Sequence, residues 1–210
     1  MTVSRQKKGP EQISRHQERT DITRARLLQA AEKIFARNGF EAAKLEEIAS
    51  EAGYTRGAFY ANFDGKEDLF FALLEQEIGS RIAKVRKHVA KREGASEKLR
   101  VLRDLWLEMC IDRRWTLLTL EFKLFAVRHP KVRARLAAMY RNLVNSGVEL
   151  VKQIVEDSGR KLAVSTQEFA TTFFALSSGL TLAHMLDRTV VPEETVRRVM
   201  LMFFDAMMGQ

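Results

Sequence analysis

Residues 45–69 have the sequence LEEIASEAGYTRGAFYANFDGKEDL, in which two short amphipathic segments flank a glycine. Ala49 lies about one helical turn before Gly53, and Phe59 follows Gly53 by six residues. In a helix-turn-helix, a small residue lets two helices approach, a glycine forms the turn, and an apolar residue anchors the second helix on the first. Thr55 stands where it can cap that second helix. The spacing therefore predicts a helix-turn-helix, which places a short helix in the major groove of DNA.

Helical periodicity continues on both sides of this motif. A supporting helix is predicted from about Asp21 to Gly39, because glycine tolerates the left-handed conformation of a helix end. Beyond Lys66 the apolar residues recur at helical spacing in six longer segments, one of which follows the capping-box pattern of Ser165 and Glu168. Three prolines and eleven glycines interrupt the chain, and no segment reads convincingly as a strand. The chain is therefore predicted to be all-α with about nine helices.

Composition and charge indicate a globular protein with an anionic partner. The 210 residues are 46% hydrophobic, enough for an ordinary core, and the formal net charge is +8. Cys110, the single cysteine, lies in an apolar helical segment and is expected to be a buried thiol in a reducing compartment. The first twenty residues contain no secretory apolar run, and the uncharged stretch 169–186 is too short and too polar for a bilayer span. We therefore expect a cytoplasmic protein with no membrane partner.

The region around the turn resembles the DNA-binding domain of the TetR family of bacterial transcription regulators. The resemblance covers residues 21–69, and it is carried by Ile48-Ala49, Ala52-Gly53, Thr55-Arg56-Gly57, Phe59-Tyr60, Phe63, Lys66-Glu67 and Leu69. It implies a homodimer with an all-α ligand-binding and dimerisation domain, usually a repressor that a small molecule releases from DNA. The expected domains are a flexible basic arm over residues 1–20, a helix-turn-helix domain over 21–66, and a larger helical ligand-binding and dimerisation domain over 67–210.

The predicted DNA contacts lie at and around the start of the second motif helix. Arg56 is the candidate for a guanine contact, because its planar guanidinium can bond two acceptors at once, and contact with phosphate alone is the alternative. Lys66 is expected to clamp a phosphate together with free backbone N–H groups, and the family resemblance assigns a phosphate to Tyr60. Lys44 departs from the family pattern, which often has a capping serine or threonine there, although a lysine could itself reach a phosphate. The full set is Lys44, Tyr54, Thr55, Arg56, Gly57, Ala58, Tyr60, Asn62 and Lys66.

The remaining helices contain candidates for a ligand cavity and a dimer interface. Large apolar side chains favour an apolar or aromatic ligand, although most of them are expected to be ordinary core, and Glu121 is better explained by a structural ion pair. The ligand candidates are Trp106, Met109, Glu121, Phe125, Phe174 and His184. The resemblance places the dimer interface on the last two helices, as a four-helix bundle with the partner chain. The interface candidates are Leu176, Ser177, Leu180, Phe203 and Met207.

Two alternatives to a ligand-responsive repressor remain open. A DNA-organising protein without an effector would coat DNA through the basic arm and a cluster formed by Arg81, Lys84, Arg86, Lys87, Lys91 and Arg92. An enzyme would need a catalytic constellation, but the sequence has no nucleophile elbow or phosphate-binding glycine loop, and its four histidines lack metal-ligand spacing. We therefore expect no catalytic residue, metal or cofactor. The expected partners are double-stranded, pseudo-palindromic operator DNA, a small-molecule effector and a second copy of the chain.

Overall fold

The computed structural model describes residues 10–158 and 162–208. Within these residues the chain forms nine α-helices and no strand, as the helical periodicity predicts. The helices are α1 (Pro10–Ala42), α2 (Leu45–Glu51), α3 (Arg56–Tyr60), α4 (Lys66–Val89), α5 (Ala95–Cys110), α6 (Arg113–Arg128), α7 (Pro130–Ser158), α8 (Thr166–Leu186) and α9 (Glu193–Met207). They form two compact units, the first ending at Leu74 and the second beginning at Glu75.

The first helix is longer than the sequence predicts. α1 begins at Pro10 rather than near Asp21, so the expected flexible arm over residues 1–20 is corrected to a helix over residues 10–20. Residues 1–9 lie outside the described residues. The upstream segment is rich in Glu, Gln and Arg, which lose little side-chain freedom in a helix, and extending a helix is much easier than nucleating one. Proline suits the first turn because the N–H that it lacks would have no helical partner there.

The first unit packs α1, α2, α3 and the first turns of α4 around a phenylalanine core. The rings of Phe35, Phe40 and Phe70 form a triangle with centroids 5.1 to 5.6 Å apart. Such tilted and edge-on pairs are the arrangements that aromatic rings prefer. Gly39 interrupts α1 with a φ of 76° and a ψ of 170°, a conformation that a side chain would oppose. The predicted helix end at this glycine is therefore a kink, after which Phe40 packs against Phe35 and Phe70.

The boundary between the units lies inside α4 rather than at its start. The sequence places the boundary between residues 66 and 67, but the first unit extends to Leu74. Leu69, Phe70 and Leu73 in the first turns of α4 are completely buried. Asp64 and Gly65 separate α3 from α4, but the hydrophobic core of the first unit continues beyond them, because these three apolar residues of α4 still pack in that unit.

The second unit is built around Trp106 on α5, whose ring is almost completely buried. The centroid of this ring lies 4.8 Å from that of Phe173 and 5.9 Å from that of Phe169, both on α8. Phe204 on α9 packs edge-on against it at 6.4 Å. α7 passes at Gly147, where a Cβ atom would lie 3.7 Å from the Trp106 ring. Four helices therefore share one aromatic core.

α8 has a buried face and an exposed side whose middle part carries no charge. Its start is closed by the predicted capping box, in which the Glu168 N–H donates to Ser165 Oγ at 3.1 Å and the Ser165 N–H donates to Glu168 Oε2 at 2.9 Å. Among the described residues, α8 is the one helix that is long and apolar enough to cross a membrane by length and composition alone. Gln167 and Glu168 near its start and Leu186 at its end are also exposed. The exposed residues between these ends, here called the uncharged α8 face, are Thr171, Thr172, Ala175, Ser178 and Gly179.

Candidate nucleic-acid interface

Gly53 forms the turn between α2 and α3. Its φ is 76°, its N–H donates to the Ser50 carbonyl at 3.0 Å, and the next N–H, from Tyr54, donates to the Ala49 carbonyl at 2.8 Å. A Cβ atom at Gly53 would meet nothing within 4 Å, so the backbone conformation rather than crowding favours glycine. Ala49 is buried beside this turn. The structure therefore confirms the roles that the sequence predicts for Ala49 and Gly53.

α3 is capped at its start and anchored by one ring. Thr55 adopts an extended conformation, and its Oγ1 atom accepts the Ala58 N–H at 3.2 Å, which is the N-cap that the sequence predicts. Phe59 is completely buried and packs edge-on against Tyr60 with centroids 5.5 Å apart. A five-residue helix is too short to be stable alone, so the cap stabilises it locally and the burial of Phe59 in the core fixes its position on the domain.

Anchoring by Phe59 leaves the opposite side of α3 exposed. This surface, called the α3 tip, consists of Thr55, Arg56, Gly57 and Tyr60, all of which are exposed. A Cβ atom at Gly57 would meet only Thr55 Oγ1, at an ordinary contact distance of 3.8 Å. Nothing inside the chain therefore requires glycine at this position. Lys44 is also exposed and occupies the N-cap position of α2, where its side chain makes no capping hydrogen bond.

Arg56 is held in place by groups from two helices. Its Nη1 atom lies 3.0 Å from Glu46 Oε1 on α2, and its Nη2 atom donates to Tyr60 Oη at 3.5 Å. The guanidinium carbon is 5.5 Å from the Tyr60 ring centroid. The hydrogen bond to Tyr60, the electrostatic interaction with Tyr60 and the attraction of Glu46 raise the pKa of Arg56 above its ordinary value. Glu46 is a residue that the sequence does not single out.

Asn62, Tyr54 and Ala58, which the sequence assigns to DNA contact, are half-buried. The Asn62 amide donates from Nδ2 to the Ala58 carbonyl at 2.8 Å, and its Oδ1 atom is buried without a hydrogen-bond partner. The Asn62 carbonyl accepts a hydrogen bond of 2.6 Å from Arg24, whose guanidinium also lies 4.3 Å from the Phe63 ring centroid. Asn62 therefore holds the end of α3 against α1, with its side chain turned towards the protein.

Lys66 is also engaged with the protein. Its Nζ atom donates to the carbonyls of Glu41 at 2.8 Å and Ala43 at 3.2 Å, and it lies 4.8 Å from the Phe40 ring centroid. Burial lowers the pKa of Lys66, and the nearby carboxylates of Glu67 and Glu41 oppose that shift. An ammonium group has three N–H donors, and these two hydrogen bonds to the end of α1 and to the residue that follows it use two of them.

The six ligand candidates do not converge on one site. Trp106 is buried in the core of the second unit, where Met109 and Phe174 pack against it as partly buried neighbours. Phe125 instead stacks on His129, with centroids 3.9 Å apart. The remaining candidates are an exposed carboxylate, Glu121, and a ring nitrogen of His184 that lies 2.8 Å from the Val191 carbonyl. Only the first three therefore form a common cluster.

The five dimer-interface candidates face their own core more than solvent. Partly buried side chains that pack on the core are those of Leu176, Leu180, Phe203 and Met207. Ser177 is buried, and its hydroxyl donates to the Phe174 carbonyl at 3.1 Å. The neighbouring positions of α8 form the uncharged α8 face, and Met202 of α9 is 64% exposed. The predicted helices therefore also present an uncharged surface, at positions adjacent to the five candidates.

Two family comparisons cover most of the chain. The family described as "Bacterial regulatory proteins, tetR family" matches residues 27–73, which contain α2, α3 and the start of α4. The family described as "BetI-type transcriptional repressor, C-terminal" matches residues 96–209, more than half of the chain.

Individual relatives include HTH-type transcriptional regulators. The chain is 29% identical over 143 residues to the HTH-type transcriptional regulator UidR of Escherichia coli strain K12, covering 68% of this chain and 69% of UidR. It is 30% identical over 73 residues to the fatty acid metabolism regulator protein of Bacillus subtilis, covering 35% of this chain and 38% of that protein. It matches only 21% of the length of the uncharacterized HTH-type regulator YerO of B. subtilis. The matched part thus spans well under two thirds of both B. subtilis relatives.

Solved structures share the fold along most of the chain. The fatty acid degradation regulator FadR of Bacillus halodurans superposes with a TM-score of 0.71 at 21% identity, covering 95% of this chain and 97% of that one. FadR of B. subtilis in complex with stearoyl-CoA gives 0.68 at 19% identity, covering 87% and 98%. A regulator from Saccharomonospora viridis in complex with choline gives 0.71 at 20% identity, covering 87% and 95%.

Proposed function

The chain belongs to the tetR family of bacterial regulatory proteins, and on that premise we propose that it is a homodimeric repressor that a small molecule releases from operator DNA. Membership in a family of transcription regulators excludes an enzyme. The observation that carries the proposal is the α3 tip, where a capped and anchored helix exposes a cation, a phenol and a glycine that has no internal role. Exposed donors around a small residue suit close approach to base edges.

Within this proposal, Arg56 contacts a guanine base, and the neighbouring side chains contact phosphates of the DNA backbone. A guanidinium can donate to guanine O6 and N7 together, which fixes one base of the site. Tyr60, Lys44 and the remaining N–H of Lys66 supply donors for phosphates, which position the helix without reading sequence. The half-buried Asn62 acts indirectly, by fixing the end of α3.

Dimerisation is proposed through the uncharged α8 face together with Met202 of α9. Serine, alanine and glycine allow two helices to approach closely, and a Cβ atom at Gly179 would meet nothing within 4 Å of its own chain. The absence of charge over this face lowers the cost of removing it from water. A two-fold axis through this surface would duplicate the α3 tip, so the operator would be an inverted repeat. Binding to chromosomal DNA also implies a cytoplasmic location.

The effector is proposed to be apolar or aromatic and to bind in the second unit. Trp106, Met109 and Phe174 supply the apolar cluster, and two fold relatives are solved with stearoyl-CoA and with choline, so related folds accept small molecules of differing charge. α4 runs from Lys66 to Val89, through the unit boundary after Leu74, and is the proposed connection between effector and DNA.

DNA coating without an effector is less well supported. Three residues of its proposed basic cluster are already paired with carboxylates: Arg81 with Asp112 at 2.5 Å, Lys84 with Glu108 at 3.0 Å, and Arg92 with Glu97 at 3.9 Å. Pairing cancels much of the charge that would attract phosphates.

Calorimetry tests release by a ligand. Stearoyl-CoA, choline and a set of apolar and aromatic compounds are first compared for their ability to raise the melting temperature of the full chain. Each stabilising compound is then titrated into free protein and into protein bound to an operator selected from random DNA. A releasing ligand must bind free protein more tightly than it binds the protein–operator complex. The factor is the same as the one by which the ligand lowers the affinity of the protein for the operator. Equal affinities in the two titrations for every such compound would contradict the proposal.

A further inference from the structure

Glu46 and Arg56 form an ion pair that joins the first turns of α2 and α3. The Oε1–Nη1 distance is 3.0 Å, and both side chains are more than half exposed. Exposed pairs of this kind contribute at most about 1 kcal/mol to folding. Stability therefore gives little reason for a carboxylate beside the one cation of the α3 tip.

The second acid of the same turn has a different environment. Glu47 is half-buried and accepts a hydrogen bond of 3.0 Å from Asn38 on α1. Glu46 instead faces the guanidinium, whose other side contacts Tyr60. Arginine has several flexible torsions, so a carboxylate on one side and a phenol on the other restrict where its N–H groups can point. Several of its five N–H donors remain available for a base.

A carboxylate in this position also changes what Arg56 attracts. The pair has no net charge, so it attracts a phosphate much less than a lone guanidinium would, and the carboxylate repels phosphate oxygens. A guanine edge presents uncharged acceptors, which the carboxylate repels far less. Because of this difference, the ion pair favours contact of Arg56 with a guanine edge over contact with a phosphate.

We infer that Glu46 is a positioning residue that directs Arg56 to a guanine edge and away from phosphate, raising operator specificity while lowering affinity for DNA in general. This inference rests on the proposed function. Glu46 acts through Arg56, so its effect on base preference must vanish when Arg56 is absent.

The test measures the binding of full-length variants to a selected operator, to its single-base variants and to random-sequence duplex DNA across a salt series. Glu46→Gln is compared with Glu51→Gln, which removes the same charge from the far end of α2, where Glu51 pairs with Lys33 at 3.0 Å. Both changes are repeated in an Arg56→Ala background, and unfolding midpoints check that every variant is folded.

We expect Glu46→Gln to bind random DNA about threefold to tenfold more tightly, with a salt slope steeper by about 1. At the operator position that Arg56 reads, its base preference should fall by about fivefold or more. Glu51→Gln should leave that preference unchanged, and Glu46→Gln should not alter it in the Arg56→Ala background.

Two results would overturn the inference while leaving the proposed function intact. An unchanged preference profile in Glu46→Gln would show that the carboxylate does not position Arg56. A loss of preference that persists without Arg56 would show that Glu46 contacts a base directly. If the wild-type protein itself prefers no DNA sequence, the proposed function fails, and the inference fails with it.

Discussion

Replacing Gly57 by alanine should make the protein more stable and its DNA complex weaker. The added Cβ atom would meet only Thr55 Oγ1, at 3.8 Å, so the chain accommodates it without strain. Alanine in place of a helical glycine stabilises by about 0.5–1 kcal/mol, which raises the melting temperature of a chain this long by roughly 1–4 °C. In the DNA complex, the same methyl group would lie between α3 and the base edges. Overpacking of this kind costs about 1–3 kcal/mol, a loss of about fivefold to 150-fold in affinity.

Gly79 on α4 is the matched control. It is an exposed helical glycine at which a Cβ atom would meet nothing within 4 Å. Gly79→Ala should therefore give a similar rise in melting temperature with no change in operator affinity. Thermal unfolding and fluorescence anisotropy with a labelled operator measure the two quantities for both variants. If Gly57→Ala binds the operator as tightly as the wild type and Gly79→Ala do, α3 does not approach the bases closely, and our assignment of the α3 tip is wrong.

Further predictions concern single side chains. Arg56→Ala should cost about 1–3 kcal/mol and relax base preference at one operator position. Tyr60→Phe should mainly weaken binding to all sequences, with a smaller loss of preference at the same position, because the Tyr60 hydroxyl also accepts a hydrogen bond from Arg56 at 3.5 Å; a panel of single-base operator variants separates these outcomes. Asp112 caps α6 and pairs with Arg81, so Asp112→Ala should lower the free energy of unfolding by about 1–2 kcal/mol in urea, and Asp112→Asn by less. Burial raises the pKa of Asp112, but hydrogen bonds from the residue 115 N–H and from Arg81 outweigh it and lower the pKa overall. The stabilisation should therefore be present at neutral pH and disappear as pH falls through that lowered pKa, and a pH-independent loss in Asp112→Asn would refute this. Burial raises the pKa of Cys110 to about 11, so the native thiol should react with a disulfide reagent at pH 8 far more slowly than the unfolded thiol. The free energy of unfolding should fall above about pH 9, because the thiol then ionises in the unfolded chain but not in the folded one. Equal reaction rates of the native and unfolded thiols would contradict the burial of Cys110.

Sequence patterns within short segments were sufficient to predict much of this fold. Hydrophobic periodicity predicts all nine helices, because each one buries a face at the helical repeat. The cap at Thr55, the turn at Gly53 and the capping box before α8 depend on residues within a few positions of one another. Interactions of such short range are visible in sequence. The start of α1 was less visible, because polar helix formers give no apolar signal.

Contacts between segments that are distant in the chain could not be predicted from the sequence. Lys66 reaches the carbonyl of Glu41, which is 25 residues away, and Arg24 bonds the carbonyl of Asn62, which is 38 residues away. Sequence spacing places Lys66 and Asn62 near DNA but cannot show that each already has partners in its own domain. The pairing of Glu46 with Arg56 also depends on how α2 crosses α3.

The exposed side of α8 could not be identified from the sequence for a related reason. The small and apolar residues of this helix extend almost around its circumference, so composition alone does not separate the core side from the exposed side. Phe173 and Thr181 turn inwards, and this fixes Ala175, Ser178 and Gly179 on the outside. The proposed interface therefore moves to positions adjacent to those that the sequence suggests.

Selection of binding sites from random double-stranded DNA by the full chain is the most direct test of sequence-specific binding by a two-fold dimer. An enriched inverted repeat is expected, with half-sites separated by about one helical turn or a multiple of it, and footprinting should show one discrete protected region. Glu46 and the α3 tip should then determine the base preference within each half-site. Failure to enrich any sequence, or uniform protection along the DNA, would contradict recognition of an operator through α3.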